Sequence, residues 1–398
     1  DRKPEDACTW RLCSVCQREA MVTGYQGTND PHNNIASCVK HFAGYGGAQS
    51  GRDYNTVELS KRTLLEEYLP AYHSAIKAGC KMVMTSFNTV NGIPATGNKK
   101  LMRGILRDEM GFDGVLISDW AAIEETIYHG YCADKEDAAI RAVEAGVDID
   151  MMTGIYCDNL CRLVREGKIP ESLVDECCMR ILELKNKLGL FENPYKDADE
   201  EKEQQLILCK EHRELAREAA RKSFVLLKNE EQILPLDKTK KTAFIGPYVN
   251  SRNLMGSWSI IGEAKDITTV EETMAVEEAG NNVVCCQGSP MLGAEVILEG
   301  FTEENQATYT PEEEAKMLEE ALEAAKKADQ VVLFIGEDRL QSGEATSNAT
   351  IQIPQIQQNL LERVAEINEN IAVVLFSGRP LDLRDVQVKA KAILEVWM

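Results

Sequence analysis

Apolar and polar positions in the first part of the chain alternate between short apolar runs and longer amphipathic stretches. The short runs predict β-strands at 35–41, 82–87, 115–119 and 147–151. The stretches between them predict helices at 60–78, 99–109 and 134–145. Strands that alternate with helices are typical of βαβ units, which form parallel sheets. We therefore expect an α/β fold with a parallel sheet in this part of the chain.

Polar side chains lie at the carboxyl end of each of the four predicted strands. They are Lys40 and His41 on the first strand, then Asn88, Asp119 and Asp150. A TIM barrel builds its active site from such residues, because the carboxyl ends of its parallel strands meet at one face. A closed barrel of this type has eight βα units, and four are seen here. We expect this part to be the second half of a TIM-like barrel whose first half lies upstream.

A charged segment separates this series from a second one. Residues 192–221 are rich in ionised side chains and predict a helical linker. Beyond it, apolar runs predict strands at 242–246, 282–286, 330–335, 371–376 and 392–397, with helices at 311–328 and 355–367. The prediction is therefore a partial TIM-like barrel at 1–191 and a second parallel-sheet α/β domain, also incomplete, at 222–398.

Asp119 is the most informative candidate for chemistry. The apolar run before it delivers its carboxylate to the carboxyl end of a strand, and Trp120 places a flat apolar ring beside it. An aspartate in this position can also serve only as the N-cap of the next helix. We interpret Asp148 and Asp150, at the next strand, as caps of the turn that follows and assign them no role in chemistry.

A second carboxylate candidate lies in the second domain. Residues 336–347 form a loop with glycine and small side chains after the strand predicted at 330–335, and this loop carries Glu344. Glu337 on the same loop is the alternative. Hydrolysis of a glycosidic bond needs two carboxyl groups, one as acid and the other as nucleophile or base. Asp119 and Glu344 would supply one group from each domain.

Composition and charge narrow the class of ligand. The chain has 398 residues, 44% of them hydrophobic, which is enough for two separate cores. Its 65 acidic and 44 basic side chains give a formal net charge of −21, which argues against nucleic acid or an anionic membrane surface as a partner. No apolar run reaches the roughly 18 residues of a membrane span, and no signal peptide is recognised at the start. A neutral or cationic small molecule fits this charge better.

Cysteine usage bears on location and on metals. The 13 cysteines are odd in number and have no paired spacing, which favours reduced thiols and a cytoplasmic location. Cys8, Cys13, Cys16 and His32 could be drawn as a zinc cluster, but no fitting second ligand pair follows. We expect no metal.

Several unusual strings occur in order over nearly the whole chain. They are VKHFAGYG at 39–46, GRDYN at 51–55, SFN at 86–88, NGIP at 91–94, MGFDGVLISDW at 110–120, MGSWS at 255–259 and SGEA at 342–345. In these strings the sequence resembles glycoside hydrolase family 3, and within it the bacterial β-glucosidases. The resemblance implies a TIM-like barrel followed by a six-stranded α/β sandwich, which agrees with the two predicted series.

The resemblance also implies roles for the two carboxylates. Asp119 would be the nucleophile of a retaining, double-displacement mechanism, with Glu344 as acid in the first step and base in the second. In a retaining enzyme the two carboxyl groups stand about 5 to 5.5 Å apart. The resemblance implies neither a metal nor an organic cofactor.

Further residues are implied to bind the sugar. Lys40 and His41 match a Lys-His pair that hydrogen-bonds sugar hydroxyls, and their positive charges would keep Asp119 ionised. Arg52 matches a sugar-binding arginine. The remaining positions implied to line the pocket are Phe87, Trp120, Ser257 and Trp258. Many family members carry tyrosine at the position of Phe87, and the family's sugar-gripping aspartate and a second arginine lie in the barrel half that this sequence does not contain.

The implied function is that of an exo-β-glucosidase, which releases terminal non-reducing β-D-glucosyl residues from oligosaccharides or glycosides. The alternative on the same fold is β-xylosidase or α-arabinofuranosidase activity, decided by whether the pocket admits an exocyclic hydroxymethyl group. An inactive carbohydrate-binding remnant is the alternative of another class. The partner in each case is a small carbohydrate, and the sequence sets no oligomeric state. Because many relatives are exported, export is the alternative to a cytoplasmic location.

Overall fold

A computed structural model describes residues 4–27, 35–196, 198–259, 262–276, 282–293, 309–346, 348 and 350–398, without the side chains of 4–14 and 276. The chain forms two compact units, Asp1–Glu200 and Glu201–Met398. The division between them falls inside the charged segment 192–221. Among the described residues, no helix is both long enough and apolar enough to span a membrane.

The first unit alternates short strands with helices. Its strands are β1 (Cys38–Phe42), β2 (Thr56–Val57), β3 (Met82–Thr85), β4 (Thr89–Val90), β5 (Ile93–Pro94) and β6 (Val115–Ile117). Its α-helices are α1 (Pro4–Gln26), α2 (Lys61–Thr63), α3 (Leu69–Lys77), α4 (Ala122–Tyr128), α5 (Lys135–Ala145), α6 (Ile155–Arg165) and α7 (Glu171–Lys187). The chain winds as a wider π-helix at Leu64–Tyr68 and Lys100–Glu109 and as short 3₁₀ turns at Tyr45–Gly47, Gln49–Gly51 and Ala95–Gly97.

The main sheet of the first unit is parallel and has the order β1-β3-β6. Its strands are flanked by helices, so the predicted α/β fold class is confirmed. The fourth predicted strand, at 147–151, is reduced to a single parallel bridge between Ile117 and Ile149. The reason is local, because the Asp148 carboxylate accepts the Leu116 N–H at 2.7 Å and occupies a donor that a regular ladder would use.

Local sequence explains where the helices of the first unit begin and end. The side chain of Asp134 accepts the Asp137 N–H at 2.9 Å and caps α5, which ends at Gly146 in the left-handed conformation. The inner face of α5 is formed by fully buried alanines, which let it pack closely in the core. Val83 and Leu116, on neighbouring strands, are completely buried in the same core.

The second unit is built on a six-stranded sheet. Its strands are β7 (Val225–Asn229), β8 (Thr242–Ile245), β9 (Val283–Cys286), β10 (Gln330–Gly336), β11 (Ile371–Phe376) and β12 (Ala392–Glu395). Its α-helices are α8 (Glu200–Leu206), α9 (Lys210–Ser223), α10 (Val270–Val276), α11 (Pro311–Lys327), α12 (Gln355–Ala365) and α13 (Arg384–Gln387), with 3₁₀ turns at Glu230–Gln232 and Ala264–Asp266. Thr310 and Glu313 form a reciprocal capping box at the start of α11.

The order of the second sheet is β7-β12-β11-β10-β8-β9, and all strands except β7 are parallel. Sequence analysis did not predict the antiparallel edge strand β7, whose apolar side chains Val225 to Leu227 are exposed and follow α9 directly. From β8 the chain first adds β9 on one side and then β10 on the other. In open α/β sheets ligands bind at the carboxyl ends of strands at such a reversal of strand order.

Candidate active site

Asp119 lies two residues beyond the end of β6, and its backbone is held by neighbouring strands. Its N–H points at Thr85 Oγ1, 3.4 Å away, and that hydroxyl pairs with Thr96 Oγ1 at 2.8 Å. Ser118 Oγ donates to the Asp119 carbonyl at 2.9 Å and accepts the Met151 N–H at 2.8 Å. The turn that carries Asp119 is therefore fixed by buried hydroxyl groups, as a precisely placed reactive group requires.

The two oxygens of the Asp119 carboxylate have different surroundings. Oδ1 accepts the Trp120 N–H at 2.7 Å. Oδ2 lies 3.3 Å from His41 Nε2, but the two groups are not aligned, and within the described part of the chain Oδ2 has no hydrogen-bond partner. The residue is only 7% exposed. A buried carboxylate oxygen without a partner is unusual in a protein, and its lone pairs are available to a substrate.

His41 is half-buried beside this carboxylate. Burial lowers the pKa of His41, the charge of Asp119 opposes that effect, and the charge of Lys40 adds to it. A lowered pKa leaves the imidazole neutral at neutral pH. The expectation that both Lys40 and His41 carry positive charge beside Asp119 is therefore wrong for His41, because a partly desolvated imidazolium is disfavoured. At neutral pH, Lys40 supplies the positive charge of this pair.

This assignment predicts how His41 titrates. We expect its imidazole to titrate below the usual value of 6.5, and lower still in Asp119→Asn, because removal of the carboxylate charge removes the effect that raises the pKa. Since folding favours the neutral form, the contribution to stability is present above about pH 6.5 and is lost as the pH falls through the folded-state pKa. NMR titration of the imidazole ring protons measures the pKa of His41 in the wild type and in Asp119→Asn. The His41 signals are assigned by their loss in His41→Gln. A pKa above 6.5, or a rise in Asp119→Asn, would contradict the assignment.

An aromatic cluster adjoins the His41 ring through Tyr45. Tyr45 lies 5.3 Å from His41 and 5.9 Å from Phe87 between ring centroids, and Tyr54 meets Phe87 edge to face at 5.1 Å. The carbonyl of Phe87 lies 3.1 Å from His129 Nε2. The structure thus brings together His41, Phe87 and Asp119 from the predicted set. Tyr45 and Tyr54 were not singled out, although both stand in the strings VKHFAGYG and GRDYN.

The other predicted residues of the first unit are exposed. Lys40 and Arg52 are exposed side chains, and Trp120 is 59% exposed. An exposed indole next to a buried carboxylate offers a flat apolar face to which a sugar ring can bind. The positions of these three residues therefore permit the roles implied for them.

Glu344 lies on the segment that follows β10, and Ser257 and Trp258 lie on the segment that follows β8. Glu344 and Ser257 are half-buried, while Trp258 is 61% exposed. The two segments are joined by hydrogen bonds from Asn253 Nδ2 to Asp338 Oδ2 at 3.0 Å and from Arg339 Nη1 to the Gly256 carbonyl at 3.3 Å. The structure therefore places Glu344 and the strip at 257–258 on adjoining segments of the second unit.

Glu337, the alternative acid on this segment, has a different environment. It is 1% exposed, and its Oε1 accepts hydrogen bonds from Arg379 Nε at 3.0 Å and Nη2 at 2.5 Å. Burial raises the pKa of Glu337, and the ion pair with Arg379 opposes that shift. A carboxyl group in a buried ion pair is poorly placed to exchange protons with a substrate, so the geometry favours Glu344 for that role.

Asp148 is an important residue whose role the sequence did not reveal. Its fully buried carboxylate pairs with Arg107 at 2.9 Å and with Arg180 at 2.8 Å, besides accepting the Leu116 N–H. It is therefore more than the turn cap that sequence analysis assigned. Asp150 does act in that way, since it accepts hydrogen bonds from Thr153 Oγ1 and the Tyr156 N–H.

A metal site requires several ligating side chains close together. In the part of the chain that the structure describes, no group of three or more His, Cys, Asp or Glu side chains could hold a metal ion. Of the zinc cluster considered from the sequence, the side chains of Cys8 and Cys13 and all of His32 lie outside the described residues.

A carboxylate at the carboxyl end of a parallel strand in an α/β unit is an arrangement typical of TIM-barrel-type enzymes. The model of the glycosyl hydrolase family 3 N terminal domain matches residues 15–184, and that of the C-terminal domain matches residues 224–398. The chain belongs to glycosyl hydrolase family 3. The resemblance found in the sequence is thereby confirmed.

Individual relatives agree with this family. A periplasmic β-glucosidase from Salmonella typhimurium is 37% identical over 388 residues, which are 95% of this chain and 50% of that protein. A β-xylosidase from Formosa agariphila is 32% identical over 397 residues, or 95% of this chain and 52% of that protein. The crystal structure of a β-glucosidase from Listeria innocua in complex with glucose has a TM-score of 0.84 and 42% identity, and the match covers 95% of this chain and 50% of that one. This chain therefore spans about half the length of these relatives.

Proposed function

We propose that the protein is a retaining exo-β-glucosidase that hydrolyses terminal non-reducing β-D-glucosyl residues of oligosaccharides or glycosides. The observation that carries this proposal is the unpaired, buried Oδ2 of Asp119, held at a parallel strand tip beside His41. The 42% identical β-glucosidase from Listeria innocua, solved with glucose, supports glucose as the sugar.

In the first step of the proposed reaction, Asp119 Oδ2 attacks the anomeric carbon and the glycosidic C–O bond breaks. The carboxyl group of Glu344 gives its proton to the departing oxygen. In the second step Glu344, now a carboxylate, takes a proton from water, and the water oxygen displaces Asp119 from the anomeric carbon. Two inversions restore the β configuration and regenerate both side chains in their starting protonation states.

The other residues bind and orient the sugar in this proposal. Lys40 and the neutral His41 donate hydrogen bonds to sugar hydroxyls, and Arg52 supplies a further charged donor. Trp120 forms the apolar wall of the pocket. On the second unit the lining residues are Ser257 and Trp258, and Phe87 contributes packing without the hydroxyl that many family members have at this position.

β-Xylosidase activity is the second candidate, because a relative with 32% identity is named as one. The two sugars differ in the exocyclic hydroxymethyl group, and a missing group of that size changes binding by only about 1–3 kcal/mol in an apolar pocket. Specificity between these sugars therefore depends on a few contacts.

The proposed location follows from two observations that point in different directions. The 11 cysteines whose side chains the structure describes are all free, as the cytoplasmic prediction expects. The 37% identical relative is named periplasmic, which supports the exported alternative. Because free thiols also occur in exported proteins, we propose export.

The function is tested by assaying the full-length protein with aryl β-glucoside, aryl β-xyloside and aryl α-arabinofuranoside. We expect kcat/KM to be highest for the β-glucoside and the first sugar released to have the β configuration. A higher kcat/KM for the xyloside or the arabinofuranoside would show that xylose or arabinose, and not glucose, is the preferred sugar. A folded protein that binds glucose but hydrolyses none of the three would be the inactive remnant instead.

A further inference from the structure

Glu344 lies within a segment that we call the acid loop, residues 337–346. Its neighbours Ser342, Gly343 and Ala345 are small, and Gly343 has a φ of +127°, a conformation that favours glycine. These small neighbours themselves contribute little side-chain surface to the packing of the loop. A loop of this kind needs contacts elsewhere if its carboxyl group is to be held in one place.

The start of the acid loop is held by two separate segments of the second unit. Besides the ion pair of Glu337 with Arg379, the Glu337 N–H donates to the Phe376 carbonyl at 2.9 Å, and the Glu337 carbonyl accepts the hydroxyl of Tyr248. Tyr248 in turn stacks on Phe376, with ring centroids 4.1 Å apart. Glu337 is thus fixed by Tyr248, which follows β8, by Phe376 at the end of β11, and by Arg379 shortly after it.

The segment that carries Arg379 also contacts the acid loop close to Glu344. A Cβ atom at Gly378 would overlap Ser342 Oγ, and a Cβ atom at Gly343 would overlap Ser257 Oγ. Residues 378–379 therefore contact the acid loop at two points. Arg379 binds Glu337 at the start of the loop, and Gly378 packs against Ser342, two residues before Glu344. A shift of Arg379 would be transmitted to both points.

A contribution to stability alone does not explain the Glu337–Arg379 pair. Burial of a carboxylate is unfavourable, and Glu337 Oε2 has no hydrogen-bond partner among the residues described. Buried ion pairs can often be replaced by apolar side chains without loss of stability. A requirement for one defined geometry explains a pair of this kind better, and at this position that is the geometry of the acid loop.

We propose that Glu337 and Arg379 are positioning residues that hold the acid loop so that Glu344 can protonate the leaving group. The inference rests on the proposed function, in which Glu344 is the acid. A positioning role can be distinguished from a structural one, because only a positioning role makes the loss of kcat/KM in a variant depend on the leaving group of the substrate.

The test compares kcat/KM for 2,4-dinitrophenyl β-glucoside, whose leaving group departs without a proton, with kcat/KM for phenyl β-glucoside, which needs one. Both constants report the first step, in which Glu344 acts as acid. In Glu344→Ala we expect the phenyl substrate to lose roughly 10²–10⁴-fold more than the dinitrophenyl substrate. In Glu337→Gln and Arg379→Lys we expect the same selective loss, about tenfold or more. Arg379→Lys keeps the positive charge opposite Glu337. The test therefore has two different variants and does not depend on the folding of Glu337→Gln alone.

Gln330→Met is the matched control. Gln330 is nearly as buried as Glu337 and begins β10, the strand that leads into the acid loop, but its amide donates to the Asp237 carbonyl and to Thr242 Oγ1 at the opposite end of that strand. We expect its ratio of the two kcat/KM values to equal that of the wild type. Equal losses on both substrates in Glu337→Gln and Arg379→Lys, with a selective loss in Glu344→Ala, would overturn the inference alone. Absence of a selective loss in Glu344→Ala would instead overturn the proposed role of Glu344.

Discussion

Asp119→Asn is expected to lower kcat for aryl β-glucoside hydrolysis by roughly 10³-fold or more, because the amide cannot form the covalent intermediate. The substitution preserves the shape of the side chain and the acceptor for the Trp120 N–H. Binding of glucose should therefore survive. Steady-state kinetics together with calorimetric titration of glucose separate the two effects.

The control for this variant is Asp150→Asn at the next strand position. Asp150 is also a carboxylate at the carboxyl side of the sheet, but its oxygens are occupied by Thr153 and Tyr156. We expect Asp150→Asn to retain kcat within a few fold. Wild-type activity in Asp119→Asn, at a protein purity that excludes contaminating enzyme, would remove Asp119 from its assigned role.

Asp148→Ala is expected to destabilise the first unit by about 3 to 5 kcal/mol, because it leaves the buried guanidinium of Arg107 and the partly buried one of Arg180 without their shared partner. Burial lowers the pKa of Arg107, and the charge of Asp148 opposes that shift, so the pair depends on this carboxylate. The Leu116 N–H also loses its acceptor. Thermal unfolding of the full-length protein should show the transition of the first unit lowered by roughly 10 °C or more.

Asp150→Ala again provides the comparison. It removes a carboxylate two residues away whose hydrogen bonds resemble those of a helix cap, which costs about 1 kcal/mol. If both alanine variants lowered the unfolding temperature equally, the buried ion pair would have no special importance for stability.

The sequence was sufficient to predict the strands that build the site. β3, β6, β10 and β11 coincide with apolar runs that are bounded by polar residues, so their pattern is local and readable. The position of Asp119 followed from the same pattern. β7 was not predicted because its exposed apolar residues do not alternate with polar ones, as they would in a half-buried strand. It also follows α9 directly, so no turn residues set it apart as a separate apolar run.

Interactions between distant segments could not be predicted in this way. The partners of Asp148 come from the π-helix at Lys100–Glu109 and from α7, so only the folded chain identifies them. The same holds for Glu337 and Arg379, which are 42 residues apart. The charge of His41 depends on its burial, which no residue pattern specifies.

Trapping of the covalent intermediate identifies the nucleophile itself. A 2-deoxy-2-fluoro-β-D-glucosyl fluoride carries a fluorine at C2 that slows both steps and a leaving group that restores the first, so the glycosyl-enzyme should accumulate. Mass spectrometry of the digested full-length protein should then find one fluoroglucosyl group, attached to Asp119 within the peptide that contains Gly114–Trp120. A label on another carboxylate, or an active enzyme that releases sugar of inverted configuration and is never labelled, would contradict the account.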